Sequence, residues 1–160
     1  MVKKVMKLLG NPGIESNNMD IVLDASVAIK WFNEKNEDYV ENAIKIQDQK
    51  ISGHLEIIVP DLFFLEVLNA FLTKSGFGPQ EISTIQQALQ KLDLKIIYPD
   101  NAIFENTVII ASASDLTIYD SLYIAVAGVY EAPLFTEDKK ILSCRSKHKL
   151  IRHIKEYKIL

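Results

Sequence analysis

Four short apolar runs, each cut off by a proline or an acid, constrain this chain more than any other feature. Ile21-Val22-Leu23 ends at Asp24, and Ile57-Ile58-Val59 ends at Pro60. Lys95-Ile96-Ile97-Tyr98 ends at Pro99, and Pro133-Leu134-Phe135-Thr136 ends at Glu137-Asp138. Runs this short, apolar on both faces, suit strands buried inside a sheet. Between them lie stretches with helical spacing: 26–32, 38–51, 62–74, 79–92, 102–113, 117–130 and 138–143. On the second of these, Val40, Ala43, Ile44 and Ile51 share a face. Leu150-Ile151 reads as a fifth, weaker strand. Strands alternating with helices predict an α/β fold, with a mostly parallel sheet of about five strands and helices on both faces.

The chain has 160 residues, enough for one domain with a real core. Residues 1–18 carry turn formers (Gly10, Asn11, Pro12, Gly13) and no sustained period, so they read as a flexible extension of a domain over 19–160. They lack the long apolar core of a signal peptide, and no apolar run reaches the roughly 18 residues of a membrane span. The single cysteine, Cys144, excludes an internal disulfide and a Cys-rich zinc site. A cytoplasmic protein is expected.

Net charge is −3, but it is unevenly spread. Residues 20–134 hold seven Lys against 17 acids, whereas residues 135–160 hold eight Lys or Arg against three. Such a chain is not a generic coat for nucleic acid. Its basic end can still offer a local rim to a polyanion.

Ligands of open α/β sheets bind beyond the carboxyl ends of the strands. Asp24 follows the first strand, and Glu137 and Asp138 follow the fourth. Each could equally cap a helix. Glu66 lies in the apolar stretch Leu62-Phe63-Phe64-Leu65-Glu66-Val67-Leu68-Asn69-Ala70-Phe71-Leu72. With Asn69 and Thr73 it forms one polar stripe at helical spacing, and a carboxylate there is expected to be part-buried. Asp120 falls three residues after Thr117, so it fits both a capping box and a ligand. Carboxylates converging at one sheet end repel unless a cation neutralises them. Oxygen-only ligation suits Mg2+ or Mn2+.

Other chemistries lack their residues. His54, His148 and His153 show no zinc-ligand spacing and are expected at the surface. Neither GxGxxG nor GxxxxGK[ST] occurs. Ser26 and Ser121 have no neighbouring histidine. Tyr123, Phe135 and Trp31 have apolar contexts that suit a core or a protein contact.

The segments IVLDASVAIKW, PDLFFLEVLNAF, LTIYDSLYIAVA and LFTEDKKIL occur in this order. Together they resemble the signature segments of PIN-domain proteins, specifically the VapC-type ribonuclease toxins of toxin–antitoxin systems. The resemblance runs from about Met19 to the C-terminus. It places the four family acids on Asp24, Glu66, Asp120 and Asp138, and supporting polar positions on Ser26, Asn69 and Thr136. It leaves Glu137 on a variable position and Asp115 outside the motif. It implies a three-layer α/β/α sandwich and an endoribonuclease dependent on Mg2+ or Mn2+. Usually such a protein is a homodimer, inhibited by a small antitoxin protein.

On that reading Asp24, Asp120 and Asp138 hold one or two metals. Glu66 ligates or takes the proton of the attacking water. Lys139, Lys140, Arg145 and Lys147 follow the fourth acid and could meet the RNA backbone. Three other readings stay open. One is an RNA-processing nuclease outside a toxin pair, and another is a non-catalytic RNA-binding module. The third, a haloacid-dehalogenase-type phosphatase, needs an acid where this chain has Ser26.

Overall fold

The computed structural model describes residues 19–33, 37–74 and 76–158. The expected extension over 1–18 lies outside these residues. The elements, in order, are β1 (Met19–Leu23), α1 (Ala25–Ala28), α2 (Val40–Ile51), β2 (Leu55–Pro60), α3 (Phe63–Lys74), α4 (Pro79–Lys91) and β3 (Lys95–Ile97). Then come α5 (Asn101–Ser114), α6 (Ile118–Tyr130), β4 (Leu134–Thr136), α7 (Lys139–Ser143) and β5 (Ile151–His153). Short 3-10 turns over Ile29–Trp31 and Ile154–Glu156 follow α1 and β5.

All five strands are parallel, in the order β3-β2-β1-β4-β5. The chain starts in the middle, builds outward to β3, then crosses over and builds outward again from β4. Right-handed crossovers therefore put the helices of the two halves on opposite faces of the sheet. The order reverses between β1 and β4, which opens a crevice at their carboxyl ends.

The central strands are buried, as their apolar runs require: Ile21, Val22, Leu23, Ile57, Ile58, Val59 and Leu134 have no accessible surface beyond traces. Helix α6 lies against β1, β2 and β4. Its residues from Ser121 to Ala127 are buried on every side. Small residues such as Ala125 and Ala127 let this helix approach the sheet closely. No single described helix is long and apolar enough to cross a membrane.

Several local expectations need correction. The helix expected over 26–32 is four α-helical residues that tighten into a 3-10 turn. Helix α2 begins at Val40, not at Asp38, because Tyr39 adopts a left-handed φ of 56°. Ile51, expected on its apolar face, is exposed, and Ile46 takes that place in the core. Edge strand β3 stops at Ile97 and leaves Tyr98 exposed. Trp31 belongs to the core, where its indole N–H donates to the Ala43 carbonyl at 2.9 Å.

Candidate active site

Strand pairing builds the first part of the site. β1 and β4 pair Leu23 with Phe135, so Asp24, one residue on, comes beside Thr136. The Thr136 hydroxyl donates to Asp24 Oδ2 at 2.8 Å, and the Ser26 hydroxyl donates to the same oxygen at 2.5 Å. Both hydroxyls are oriented from behind. The Asp138 N–H donates to Thr136 Oγ1 at 2.9 Å, and the Glu137 N–H donates to Ser26 Oγ at 3.1 Å. A hydroxyl that accepts from an N–H has its own proton left for Asp24. This network ties the end of β1 to the turn after β4.

Asp24 is buried, and that burial pushes its pKa up. The two hydroxyls oppose the shift, and the charge of Asp138 adds to it.

Glu66 reaches the same place from α3. The Tyr123 hydroxyl on α6 donates to Glu66 Oε2. A buried phenol needs such a partner. Burial raises the Glu66 pKa to about 7, aided by the charges of Asp24, Asp120 and Asp138, while Tyr123 works against the shift. Tyr123 itself is held well above its ordinary range, first by burial and then by the charges of Asp24 and Glu66. It therefore stays a donor.

Asp120 and Asp138 each serve a helix end and still face the crevice. Thr117 caps α6 by accepting from the Asp120 N–H at 3.1 Å, and its hydroxyl donates to Asp120 Oδ2 at 2.8 Å. Asp138 caps α7: its Oδ1 accepts from the N–H groups of Lys140 and Ile141 at 2.7 and 3.1 Å. Capping and ligation are thus not exclusive. In Glu66, Asp120 and Asp138 the second carboxylate oxygen accepts from no group among the described residues.

All four acids line one cavity of about 260 Å3, with Ser26, Ile29, Asn69, Ala70 and Thr73. Asn69 lines it without a hydrogen bond to any of the four acids among the described residues, unlike Ser26 and Thr136. Of the four basic residues, Lys139 and Lys140 line an adjoining cavity. Arg145 and Lys147 are engaged elsewhere: Arg145 pairs with Glu156 at 2.8 Å, and Lys147 donates to the Ala113 carbonyl at 2.8 Å. His54 is exposed as expected, whereas His148 and His153 are half-buried, with His153 capping the 3-10 turn after β5.

The donor set is chemically suited to a hard cation, because only oxygen ligands face this cavity. Among the described residues no three His, Cys, Asp or Glu side chains already stand as ligands about one point. Mg2+ fits such an arrangement, since it keeps several waters and needs only one or two carboxylates directly. A dehalogenase-type site does not fit: Ser26, two positions after Asp24, is spent on orienting Asp24.

The most consequential residue beyond those expected is Lys30. It is fully buried and lies 2.6 Å from Glu37 Oε2 and 2.5 Å from Glu137 Oε2. Burial would lower its pKa, but the bonds and charges of Glu137 and Glu37 outweigh this and hold it above its ordinary value. Lys30 therefore fixes Glu137, whose backbone N–H orients the Ser26 hydroxyl. The signal was in the sequence: Lys30 sits between Ile29 and Trp31, a charge inside an apolar run like Glu66.

The sequence matches the PIN domain family over residues 21–145, and the chain belongs to that family. No curated protein matches it in sequence. Among solved structures, a toxin–antitoxin complex from Klebsiella pneumoniae superposes with a TM-score of 0.60 at 16% identity, covering 87% of this chain and 99% of that one. VapC20 of Mycobacterium tuberculosis, a toxin that cleaves the sarcin–ricin loop, gives 0.61 at 11% identity, covering 78% and 94%. A protein from Pyrobaculum aerophilum gives 0.61 at 20% identity, covering 89% and 93%. These likenesses establish a shared fold.

Two outcomes follow from the electrostatics. Between pH 4.5 and about 7 the folded protein holds a proton on Glu66 that the unfolded chain has released. Stability of the metal-free protein therefore falls as pH rises through that window and stays reduced above it. In EDTA, Glu66→Gln should raise stability at pH 8 by about 1–2 kcal/mol, allowing for solvent screening, with no gain at pH 4. Thermal unfolding at the two pH values checks this, and a loss at pH 8 would contradict it. Separately, Lys30→Met leaves two clustered carboxylates without their cation. It should cost about 2–4 kcal/mol in urea unfolding at pH 7, and an unchanged midpoint would mean that the clamp carries no stability.

Proposed function

We propose that this PIN-domain protein is a metal-dependent endoribonuclease, the toxin of a toxin–antitoxin pair, acting in the cytoplasm. The observation that carries the reading is the convergence of Asp24, Glu66, Asp120 and Asp138 on one cavity at the reversal point of the sheet. Membership of the PIN family supports a nuclease. The fold shared with toxin structures supports the toxin assignment and an antitoxin partner.

Asp24, Asp120 and Asp138 would hold Mg2+ or Mn2+. A cation bound there would supply positive charge to the phosphoryl oxygens and make water more acidic. Asp24 enters the reaction already oriented by the Ser26 and Thr136 hydroxyls. Glu66, held in the crevice beside these ligands and not among them, would accept the proton of an attacking water. Tyr123 holds that carboxylate in place. Attack of that water on phosphorus would break the bond to the 3′ oxygen, which takes a proton from solvent, leaving a 5′-phosphate and a 3′-hydroxyl. The ribose 2′-hydroxyl takes no part. Lys139 and Lys140 stand beside the acids, where they can meet backbone phosphates.

Exposed apolar residues on α5, Phe104, Val108 and Ile109, supply surface for the homodimer. Sedimentation of the purified chain at micromolar concentration should give a dimer, and Val108→Glu a monomer.

The decisive assay is cleavage of end-labelled RNA with Mg2+, Mn2+ or EDTA. Cutting should require metal and fall to background in Asp24→Asn. Glu66→Gln should slow it about 10²–10⁴-fold. Metal-independent cutting, or full activity of Asp24→Asn, would refute the reading. Reversing Lys139 and Lys140 to Glu should reduce the salt-dependence slope of RNA binding by at least about 1.4, the value for two lost contacts to a single strand. An unchanged slope would remove both from the RNA path.

A further inference from the structure

Three cavities adjoin in a row. The acid cavity is the middle one. On one side it shares Ser26, Ile29, Ala70 and Asp138 with a cavity of about 480 Å3 that Lys139 and Lys140 also line. On the other side it shares Glu66 and Asn69 with a cavity of about 430 Å3 completed by Leu62, Leu65 and Tyr119. A polymer cut in the middle must leave at both ends. One end carries Lys139 and Lys140 beside Glu37, Glu137 and Asp138, and among the described residues only these two lysines offer a phosphate a positive partner there. The other is apolar and aromatic.

That second end is built by two helix starts. Leu65, Glu66 and Asn69 share one face at the beginning of α3, and Leu62, just before the helix, continues that spacing. Tyr119 is the second residue of α6, directly before Asp120. Tyr119 is 64% exposed and Leu65 is 72% exposed, whereas Tyr123, the tyrosine bonded to Glu66, is buried. Leaving a ring and a leucine side by side in water has a cost that a flat apolar ligand would remove. The Asn69 amide adds a donor and an acceptor at the edge.

The geometry points to a nucleobase subsite here: the base flanking the scissile phosphate stacks on Tyr119 against Leu62 and Leu65, with Asn69 at its edge. This rests on the nuclease reading above and adds which part of the RNA lies on which side of the acids. A base fits better than a phosphate, because Glu66 stands in the wall and no described cation does. Stacking tolerates any base, so the subsite adds affinity, and Asn69 supplies what base preference there is.

The test uses the full chain with Mn2+ and a short single-stranded RNA, intact or with an abasic nucleotide on either side of the cleavage site. Tyr119→Ala should raise KM roughly 5- to 150-fold, leave kcat within about twofold and leave the salt slope unchanged. Tyr119→Phe should restore KM. One abasic position should weaken the wild type to the same degree and add nothing to Tyr119→Ala. Leu65→Ser, on the facing wall, should raise KM in the same direction. An unchanged KM in Tyr119→Ala, or an abasic penalty equal in both proteins, overturns the subsite. A changed oligomeric state or lost capture of a protein partner, with KM for RNA unchanged, also overturns it and gives the face to a protein contact. If the wild type cuts no RNA with any metal, the nuclease reading falls first and takes the subsite with it. If it cuts normally and the Tyr119 variants do not behave as stated, only the subsite falls.

Discussion

Burying negative charge where β1 and β4 part is the constraint on which the rest of the structure depends. Two unit charges 4 Å apart interact by about 4 kcal/mol at an effective dielectric of 20. Carboxylates gathered there must therefore be offset by donors, by protons or by a cation. The donors and the proton can be named. Asp24 takes two hydroxyls. Glu66 takes a phenol and holds its proton up to about pH 7. Asp120 and Asp138 sit at helix starts, where exposed N–H groups favour negative charge. What these offsets leave uncompensated is what a divalent cation would neutralise.

The fold supplies this arrangement through its connectivity. A parallel sheet that starts at its centre and builds outward both ways leaves one crevice, and the acids come from β1, α3, α6 and the turn after β4 to line it. Each is placed by an element whose own packing is fixed. The buried α6 is the clearest case, since it carries both Asp120 and Tyr123. Lys30 adds a second buried charge system beside the first. Pinned between Glu37 and Glu137, it anchors the turn that carries Asp138 and orients Ser26. The acid cluster is thus supported from its own backbone outward.

Much of this was legible in the sequence because burial leaves a compositional trace. Strands buried on both faces must be short apolar runs, and β1, β2 and β4 stand where those runs stand. Glu66 was conspicuous because an apolar helix has little exposed face to carry an acid. Other features left no such trace. The left-handed Tyr39 that delays α2, and the tightening of α1 into a 3-10 turn, are decided by packing, not by local propensity. Tyr123 read as core, and it is core, but its hydroxyl found Glu66 57 positions earlier in the chain. Lys30 stood out as a charge inside an apolar run, but its partners lie seven and 107 residues away and could not be read from that run. Arg145 and Lys147 looked free for RNA for the same reason, and Glu156 and the Ala113 carbonyl hold them. Sequence spacing reveals what one element presents. It does not reveal which distant group answers.

The central claim is that the four acids surround one cation, with Asp24, Asp120 and Asp138 holding it. Anomalous diffraction from crystals soaked in Mn2+ tests it most directly. The account predicts a peak inside the cavity bounded by Asp24, Glu66, Asp120 and Asp138, lost in Asp24→Asn. No peak there at Mn2+ concentrations that support cleavage, or a peak only at Glu37 and Glu137, would contradict it.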